Sequence, residues 1–358
     1  MNFSIFQNKR VFLTGHTGFK GSWLAVWLHR LGAEVYGYSL PPPTEPSNYV
    51  LSRIRETLAG ETSGDIRDRM RLHEALAAAA PDVVFHLAAQ PLVRESYARP
   101  FDTFDVNVMG TASVLDAVRD LEGPCAVICI TTDKCYENRE QVWGYRECDP
   151  MGGHDPYSAS KGAAELLISS YRRSFFDPAR LAVHGVQLAS ARAGNVIGGG
   201  DWAQDRIVTD MVKALQERRP VPVRNPHAIR PWQHVLEPLS GYLTLAAAML
   251  EKPGATWSSA WNFGPVSGTE LPVGELASSF IKAWGEGTWV DQSSPDQPHE
   301  ASILRLSIEK AGWELGWRPC WPCGEMIQRT ANWYRQVLCE GADARSLCEA
   351  DITAYHDC

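Results

Sequence analysis

Two side chains with acid–base chemistry stand four residues apart in Tyr157-Ser-Ala-Ser-Lys161. Residues at that spacing share one face of a helix. An ammonium beside a phenol lowers the phenol's pKa, so that its phenolate takes a hydroxyl proton near neutral pH. Upstream, Thr131-Thr-Asp-Lys134 closes an apolar run with two hydroxyls, a carboxyl and an amine. A lone Y-x-x-x-K is common by chance. This one follows Thr14-Gly-His-Thr-Gly-Phe-Lys-Gly21, whose Gly15, Gly18 and Gly21 form a G-x-x-G-x-x-G pattern. Glycines there permit a tight turn, let the backbone approach a pyrophosphate, and pack the following helix on the sheet. The helix N-terminus then offers oriented N–H groups to the phosphates. A plain strand-to-helix turn is the bland alternative. The strand before the loop and the helix after it favour a dinucleotide site.

Positioning these groups requires short buried strands alternating with helices. The runs Arg10–Thr14, Glu34–Tyr38, Asp82–Leu87, Cys125–Ile130 and Val186–Ser190 are too continuously apolar for a half-exposed sheet. They suit a parallel sheet covered on both faces. Helical patterns run from about Lys20 to Leu31, Arg67 to Ala79, Asp102 to Leu121 and Ser158 to Ser174. The alternation predicts an α/β fold, a doubly wound parallel sheet of the Rossmann kind with a smaller C-terminal substrate-binding lobe. The expected division is 1–192 for the dinucleotide-binding domain, with 234–264 returning to it. The substrate-binding lobe takes 193–233 and 265–340, and 341–358 reads as a polar, peripheral tail. Serial prolines make Leu40–Pro46 an extended loop.

The 358 residues carry a net charge of −8, with 44% apolar and 21% charged positions. This is the balance of an ordinary globular protein, and the charge argues against nucleic acid or anionic membrane as partners. An anionic substrate must therefore be held by local arginines. The longest apolar runs fall short of the roughly 20 residues of a membrane span. The first ten residues do not read as a signal peptide. Nine cysteines, an odd number, argue against a disulfide framework. A cytoplasmic enzyme is the expectation.

A Rossmann site that holds the adenosine ribose usually has an acid at the end of its second strand. Here that strand ends Tyr36-Gly-Tyr-Ser39, which leaves NAD against NADP open on the residues alone. Asp65 and the amide of Ile66 suit adenine, and Asp65 equally suits a cap for a helix starting near Arg67. Cys320-Trp-Pro-Cys323 lacks the second ligand pair of a zinc site and reads as structural. No metal motif appears. Trp23 and Trp27, at helical spacing, read as core.

With these motifs in place, the sequence resembles the extended short-chain dehydrogenase/reductase family. Within it, the closest likeness is to the NAD-dependent sugar-nucleotide 4,6-dehydratases, specifically the subgroup acting on CDP-glucose. The stretches that carry it are Gly15–Trp23, His86–Leu92, Thr131–Asn138, Gly152–Lys161, Ala191–Trp202, Ile229–Val235 and Trp261–Gly264. Most are shared across sugar-nucleotide enzymes. Thr-Asp-Lys and Arg-Pro-Trp-Gln-His-Val mark the subgroup.

The resemblance implies a division of labour. NAD would lie against Gly15, Thr17, Gly18, Phe19, Gly21, Ser39, Asp65, Ile66, Leu87, Ala88, Ala89, Tyr157 and Lys161. Tyr157 would take the sugar O4 proton while the C4 hydride goes to nicotinamide. Lys161 would hold the nicotinamide ribose, and Thr132 would bond O4. Asp133 would protonate the departing C6 hydroxyl before the hydride returns to C6. Similar enzymes carry Glu directly after that acid to remove the C5 proton; here Lys134 stands there. Its amine does the same work only when neutral, and it equally suits orienting Asp133 or the substrate. Arg230 leads the candidates for the substrate diphosphate, with Arg206 and Arg94 behind it. Asn195 is placed to contact the sugar diphosphate, and His299 with Glu300 to close the nucleotide pocket. The implied substrate is the small molecule CDP-glucose, and cytidine rests on the resemblance alone. A homodimer or homotetramer would pair through a four-helix bundle built on Asp102–Leu121 and Ser158–Ser174. The product would feed deoxysugars of cell-surface polysaccharide, such as lipopolysaccharide O-antigen. The rivals are a 4-epimerase or reductase, with no use for an acid at 133, and a catalytically silent NAD-binding regulator.

Overall fold

The computed structural model describes residues 3–294 and 303–358. Its strands are β1 (Arg10–Thr14), β2 (Glu34–Ser39), β3 (Gly60–Ser63), β4 (Val83–His86), β5 (Cys125–Ile130), β6 (Val186–Ala193), β7 (Val196–Ile197), β8 (Val221–Val223), β9 (Ile229–Arg230), β10 (Gln233–His234), β11 (Ala260–Phe263), β12 (Leu271–Pro272) and β13 (Trp289–Asp291). The first-half helices are α1 (Phe19–Arg30), α2 (Asn48–Leu51), α3 (Arg69–Ala79), α4 (Val93–Ala98), α5 (Pro100–Phe104), α6 (Gly110–Arg119) and α7 (Pro156–Ser174). The second half adds α8 (Leu181–His184), α9 (Ile207–Gln216), α10 (Leu236–Glu251), α11 (Val273–Trp284), α12 (Glu309–Glu314), α13 (Cys323–Cys339) and α14 (Ala344–His356).

Seven strands form one sheet in the order β11-β6-β5-β4-β1-β2-β3. Every adjacent pair is parallel. Alternation along β1 sorts its side chains: Val11 and Leu13 enter one core, and Phe12 the other. The first core is closed by Trp23 and Trp27 of α1 and by Leu239 and Tyr242 of α10. On the opposite face lie Leu72 and Leu76 of α3, Val114 and Val118 of α6, and Ile168 of α7. The strand order reverses direction at β1 and β4, and the crevice beyond their carboxyl ends is where such sheets bind ligands. The short pairs β7–β10, β9–β12 and β8–β13 build the loops beside that edge.

Three expectations change. The helix expected over Asp102–Leu121 is interrupted by a π-helical segment at Asp105–Met109 between α5 and α6. Its Asn107 turns inward, accepting from the Gln90 amide at 2.9 Å and donating to Ser160 Oγ at 2.9 Å. A π-bulge gives the helix the extra residue such a turn requires. Second, residues 341–358 are not a peripheral tail. Asp343 caps α14 through the Ser346 amide at 3.1 Å, and Cys348, Ile352 and Tyr355 are fully buried in the main core. Their helical spacing forms one apolar stripe within a polar composition. Third, Cys320 is disulfide-bonded to Cys358, fastening the end of α14.

Because Ile352 sits in that core, Ile352→Ala is expected to cost about 2–5 kcal/mol. The midpoint of urea unfolding measures the loss, and an unchanged midpoint would mark α14 as a surface appendage.

Candidate active site

The glycine loop leaves β1 with Gly15 in the left-handed region, φ 76°. A Cβ at Gly15 would stand 2.7 Å from the Ala88 amide, and one at Gly21 2.1 Å from the Gly15 carbonyl oxygen. Both positions therefore require glycine. Thr14 Oγ1 accepts from the Leu87 and Ala88 amides, each at 3.1 Å, which locks the β4 exit against the loop. Gly18 begins α1 without a side-chain cap, so the first helical N–H groups face the crevice. A bare backbone cradle at a helix N-terminus suits a dinucleotide pyrophosphate.

The end of β2 carries no acid, and the local chemistry is already paired. Thr17 Oγ1 bonds Ser39 Oγ at 2.7 Å and donates to the Leu40 carbonyl at 2.9 Å. Asp65 accepts from the Arg67 amide at 2.9 Å and grips the Arg67 guanidinium. It does not cap α3; Asp68 does, through the Arg71 amide at 3.2 Å. Ile66 is buried against Gly110.

Across the crevice, β5 ends at Ile130 and delivers Thr131, Thr132 and Asp133, all buried. Asp155 caps α7 through the Ser158 amide at 2.9 Å, and Pro156 occupies its first turn. That start places buried Tyr157 and Lys161 one turn apart beside Thr132. Thr132 donates to Asp133 Oδ1 at 3.0 Å, while Asp133 Oδ2 is buried without a partner. Burial raises the Asp133 carboxyl above its ordinary value, against the pull of Lys134, Thr132, Arg230 and Lys20. The Lys134 ammonium lies 6.0 Å from the Tyr157 ring centre.

Tyr157 departs from the expectation of a lowered pKa. Burial pushes the phenol up to about 12, outweighing the Thr132 hydroxyl and the Arg206 charge that pull it down. The cation acting most strongly on it is thus Arg206, not Lys161. Burial also lowers Lys161 to about 8, although Glu165 opposes it.

Sequence reasoning passed over the network beneath these groups. Glu165, one turn beyond Lys161, accepts from Arg192 at 2.8 Å, Thr131 Oγ1 at 2.5 Å and Ser190 Oγ at 2.8 Å. Burial raises Glu165, but Arg192 and the donors outweigh it, and its pKa lies below the ordinary value. Arg192 also donates to Tyr136 Oη at 2.7 Å. A run of polar residues in otherwise apolar strands, Ser190 and Arg192, was the signal available.

The substrate candidates divide. Arg230 is buried and its charge reaches Asp133. Arg206 pairs with Asp201 at 2.9 Å and its charge reaches Tyr157. Asn195 lies between β6 and β7, its carbonyl accepting from the Gln233 amide at 2.9 Å. Arg94 stands 3.6 Å from Asp205, both partly exposed. His299 and Glu300 lie outside the described residues. Among the described residues, no group of His, Cys, Asp and Glu is placed to hold a metal, and no helix is long and apolar enough to cross a membrane.

Comparison with known proteins identifies the family. Residues 12–330 match the family model described as GDP-mannose 4,6 dehydratase. The chain is similar to the CDP-glucose 4,6-dehydratase of Salmonella typhimurium, 48% identical over 98% of this chain and 97% of that one. It is 31% identical to the dTDP-glucose 4,6-dehydratase of Streptomyces antibioticus, over 76% of this chain and 75% of that one. In fold it resembles a dTDP-glucose 4,6-dehydratase from Streptomyces venezuelae, solved with NAD and TYD bound. The TM-score is 0.76 at 24% identity, over 91% of this chain and 97% of that one. An epimerase from Methanothermobacter thermautotrophicus gives 0.77 at 22% identity, over 95% and 96%.

Removing one partner of the buried pair leaves the other charge uncompensated. Glu165→Gln is therefore expected to destabilise the fold by about 3–5 kcal/mol. Thermal unfolding of the variant beside the parent measures it, and equal midpoints would mean that Arg192 finds another counter-charge.

Proposed function

The chain belongs to the GDP-mannose 4,6 dehydratase family, and from that premise we propose that it is a CDP-glucose 4,6-dehydratase. It eliminates water from CDP-D-glucose to give CDP-4-dehydro-6-deoxy-D-glucose. The observation that carries the reading is the buried Asp133 carboxyl, raised by burial above its ordinary value and held by Thr132 beside Tyr157 and Lys161, in a chain 48% identical to the Salmonella enzyme. An epimerase or reductase needs the tyrosine and lysine but gains nothing from a protonated acid at that point.

NAD bound here would supply a hydride acceptor for C4 and a hydride donor for C6, with no net change over a turnover. Backbone from Gly15 to Gly21, with Ala88 and Ala89 opposite, forms its cradle, and Lys161 holds the nicotinamide ribose. Tyr157 takes the O4 proton and Thr132 bonds O4. The 4-ketone then acidifies the C5 hydrogen. Asp133 gives its proton to the C6 oxygen as the C6–O bond breaks, which its raised pKa prepares it to do. Lys134 takes the C5 proton. An amine must be neutral for this, and desolvation by the sugar pushes lysine down from its reference value of about 10.4.

Arg230 and Arg206 grip the substrate diphosphate, with Arg94 and Asn195 at the outer end. Residues 193–233 and 265–340 form the sugar-nucleotide lobe. Two copies pair through α5, α6 and α7, where Phe101 (80% exposed), Met109 (57%) and Leu166 (63%) present an apolar face. The enzyme works in the cytoplasm, and its product feeds deoxysugars of cell-surface polysaccharide.

Offered a panel of nucleoside-diphosphate glucoses, the protein is expected to remove water from CDP-glucose first, as read by mass spectrometry. No net absorbance at 340 nm should build up. Steady growth at 340 nm would indicate a dehydrogenase, and inversion at C4 without loss of water an epimerase.

The role of Lys134 is separable. In D₂O with a 4-keto analogue, the parent should exchange the C5 hydrogen, and Lys134→Met should slow that exchange by about 10²-fold or more. Exchange at the parent rate would assign the base to another residue.

A further inference from the structure

Lys20 lies in the first turn of α1, inside the glycine loop, and no step above uses it. It is only partly exposed, and among the described residues it makes no hydrogen bond and no ion pair. Neighbouring charges surround it: Arg206, Asp133, Lys161 and Asp201. Burial, aided by Arg206 and Lys161 and opposed by the two aspartates, lowers its amine to about 7. Nothing in the packing of α1 explains a lysine there, since its neighbours Trp23, Leu24 and Trp27 already fill the core.

Asp133 shows the complementary gap. One carboxyl oxygen takes the Thr132 hydroxyl, and Oδ2 is buried with no partner. An amine whose charge reaches Asp133 and an acid oxygen short of a partner thus lie near one another with no hydrogen bond between them. A small hydroxyl-bearing group between them satisfies both. The demand is greatest after proton transfer. Burial favours the neutral acid form of Asp133, and that same burial penalises the carboxylate it becomes. An amine nearby that can carry positive charge offsets the penalty just when it arises, because the new carboxylate favours its protonated form.

We propose that Lys20 is a further catalytic residue of the dehydration step, donating a hydrogen bond to the departing C6 oxygen opposite Asp133 Oδ2. The proposal rests on the dehydratase reading above. The C5–H electron pair becomes the second bond between C5 and C6, and the C6–O bond breaks with its pair. The Asp133 proton completes the leaving water. Lys20 transfers no proton; its charge stabilises the oxygen as it leaves and the Asp133 carboxylate afterwards. It makes no contribution to the earlier removal of hydrogen from C4 and O4, which is the work of Tyr157.

This separation sets the test. Lys20→Met and Lys20→Arg are purified with their bound NAD quantified, then mixed rapidly with CDP-glucose. Absorbance at 340 nm and loss of water are followed together. In Lys20→Met, water loss should slow by about 10²-fold, while absorbance at 340 nm rises toward one equivalent per site and persists. The hydride is then stored faster than it is returned. Lys20→Arg, which keeps the cation, should recover part of the rate, and Tyr157→Phe should give neither signal. Turnover of Lys20→Met within about twofold of the parent would overturn the proposal. So would slow turnover without the 340 nm rise, or loss of NAD from both lysine variants, either of which makes Lys20 a cofactor residue. A raised KM with kcat intact would reassign it to the substrate diphosphate. Failure of the parent itself to dehydrate CDP-glucose would count against the functional reading and not against Lys20.

Discussion

The ion pair between Arg192 and Glu165, 2.8 Å long and closed to solvent on both sides, ties together the elements that carry the chemistry. Arg192 comes from β6 and Glu165 from α7, while Thr131 at the end of β5 and Ser190 donate to the same carboxylate. Two strands and a helix are thereby held in one register. Lys161 and Tyr157 lie one and two turns before Glu165 on α7, and Thr132 and Asp133 follow Thr131 directly. A slip of either element would separate the acid from the phenol. Buried pairs are costly to assemble and contribute little net stability against an apolar replacement. What this one supplies is position and a fixed negative charge beneath Lys161.

Much of this arrangement is legible in the sequence. The limits of β1 and β5 follow from continuous apolar runs, because strands buried on both faces leave no room for polar alternation. The glycines at 15 and 21 announce a close backbone approach, and the structure shows what they approach: the Ala88 amide and the loop's own carbonyl. Helix α7 begins two residues before the expected Ser158, where Asp155 caps it and Pro156 fills its first turn.

What was not legible depends on contacts distant in sequence. Glu165 and Arg192 look like two ordinary charges until the fold pairs them. The break between α5 and α6 reflects Asn107 reaching Gln90 and Ser160, neither of which is near it in the chain. The C-terminal segment misleads because composition averages over faces: it is polar overall, yet Cys348, Ile352 and Tyr355 align on one side of a helix. Periodicity, applied there as it was to the first half, would have found that stripe. Electrostatics misled in a similar way. The spacing of Tyr157 and Lys161 suggests a lysine that acidifies a phenol, but burial raises the one and lowers the other.

Burial therefore gives the whole cleft a consistent character. A carboxyl is raised, a phenol is raised, and two lysines are lowered, each by loss of water first and by neighbours second. In every case the neutral form gains at the expense of the charged one. Such a site holds little net charge at rest and responds strongly to any charge that appears within it, because screening by water is weak there. An elimination in which one side chain takes the C5 proton and a carboxyl gives another to the departing C6 oxygen creates and cancels such charges in sequence. The acidic surface of the chain is no obstacle to this chemistry. Its long-range field is screened over about 8–10 Å at physiological salt, whereas Arg206, Arg230 and the lysines act within the cleft itself.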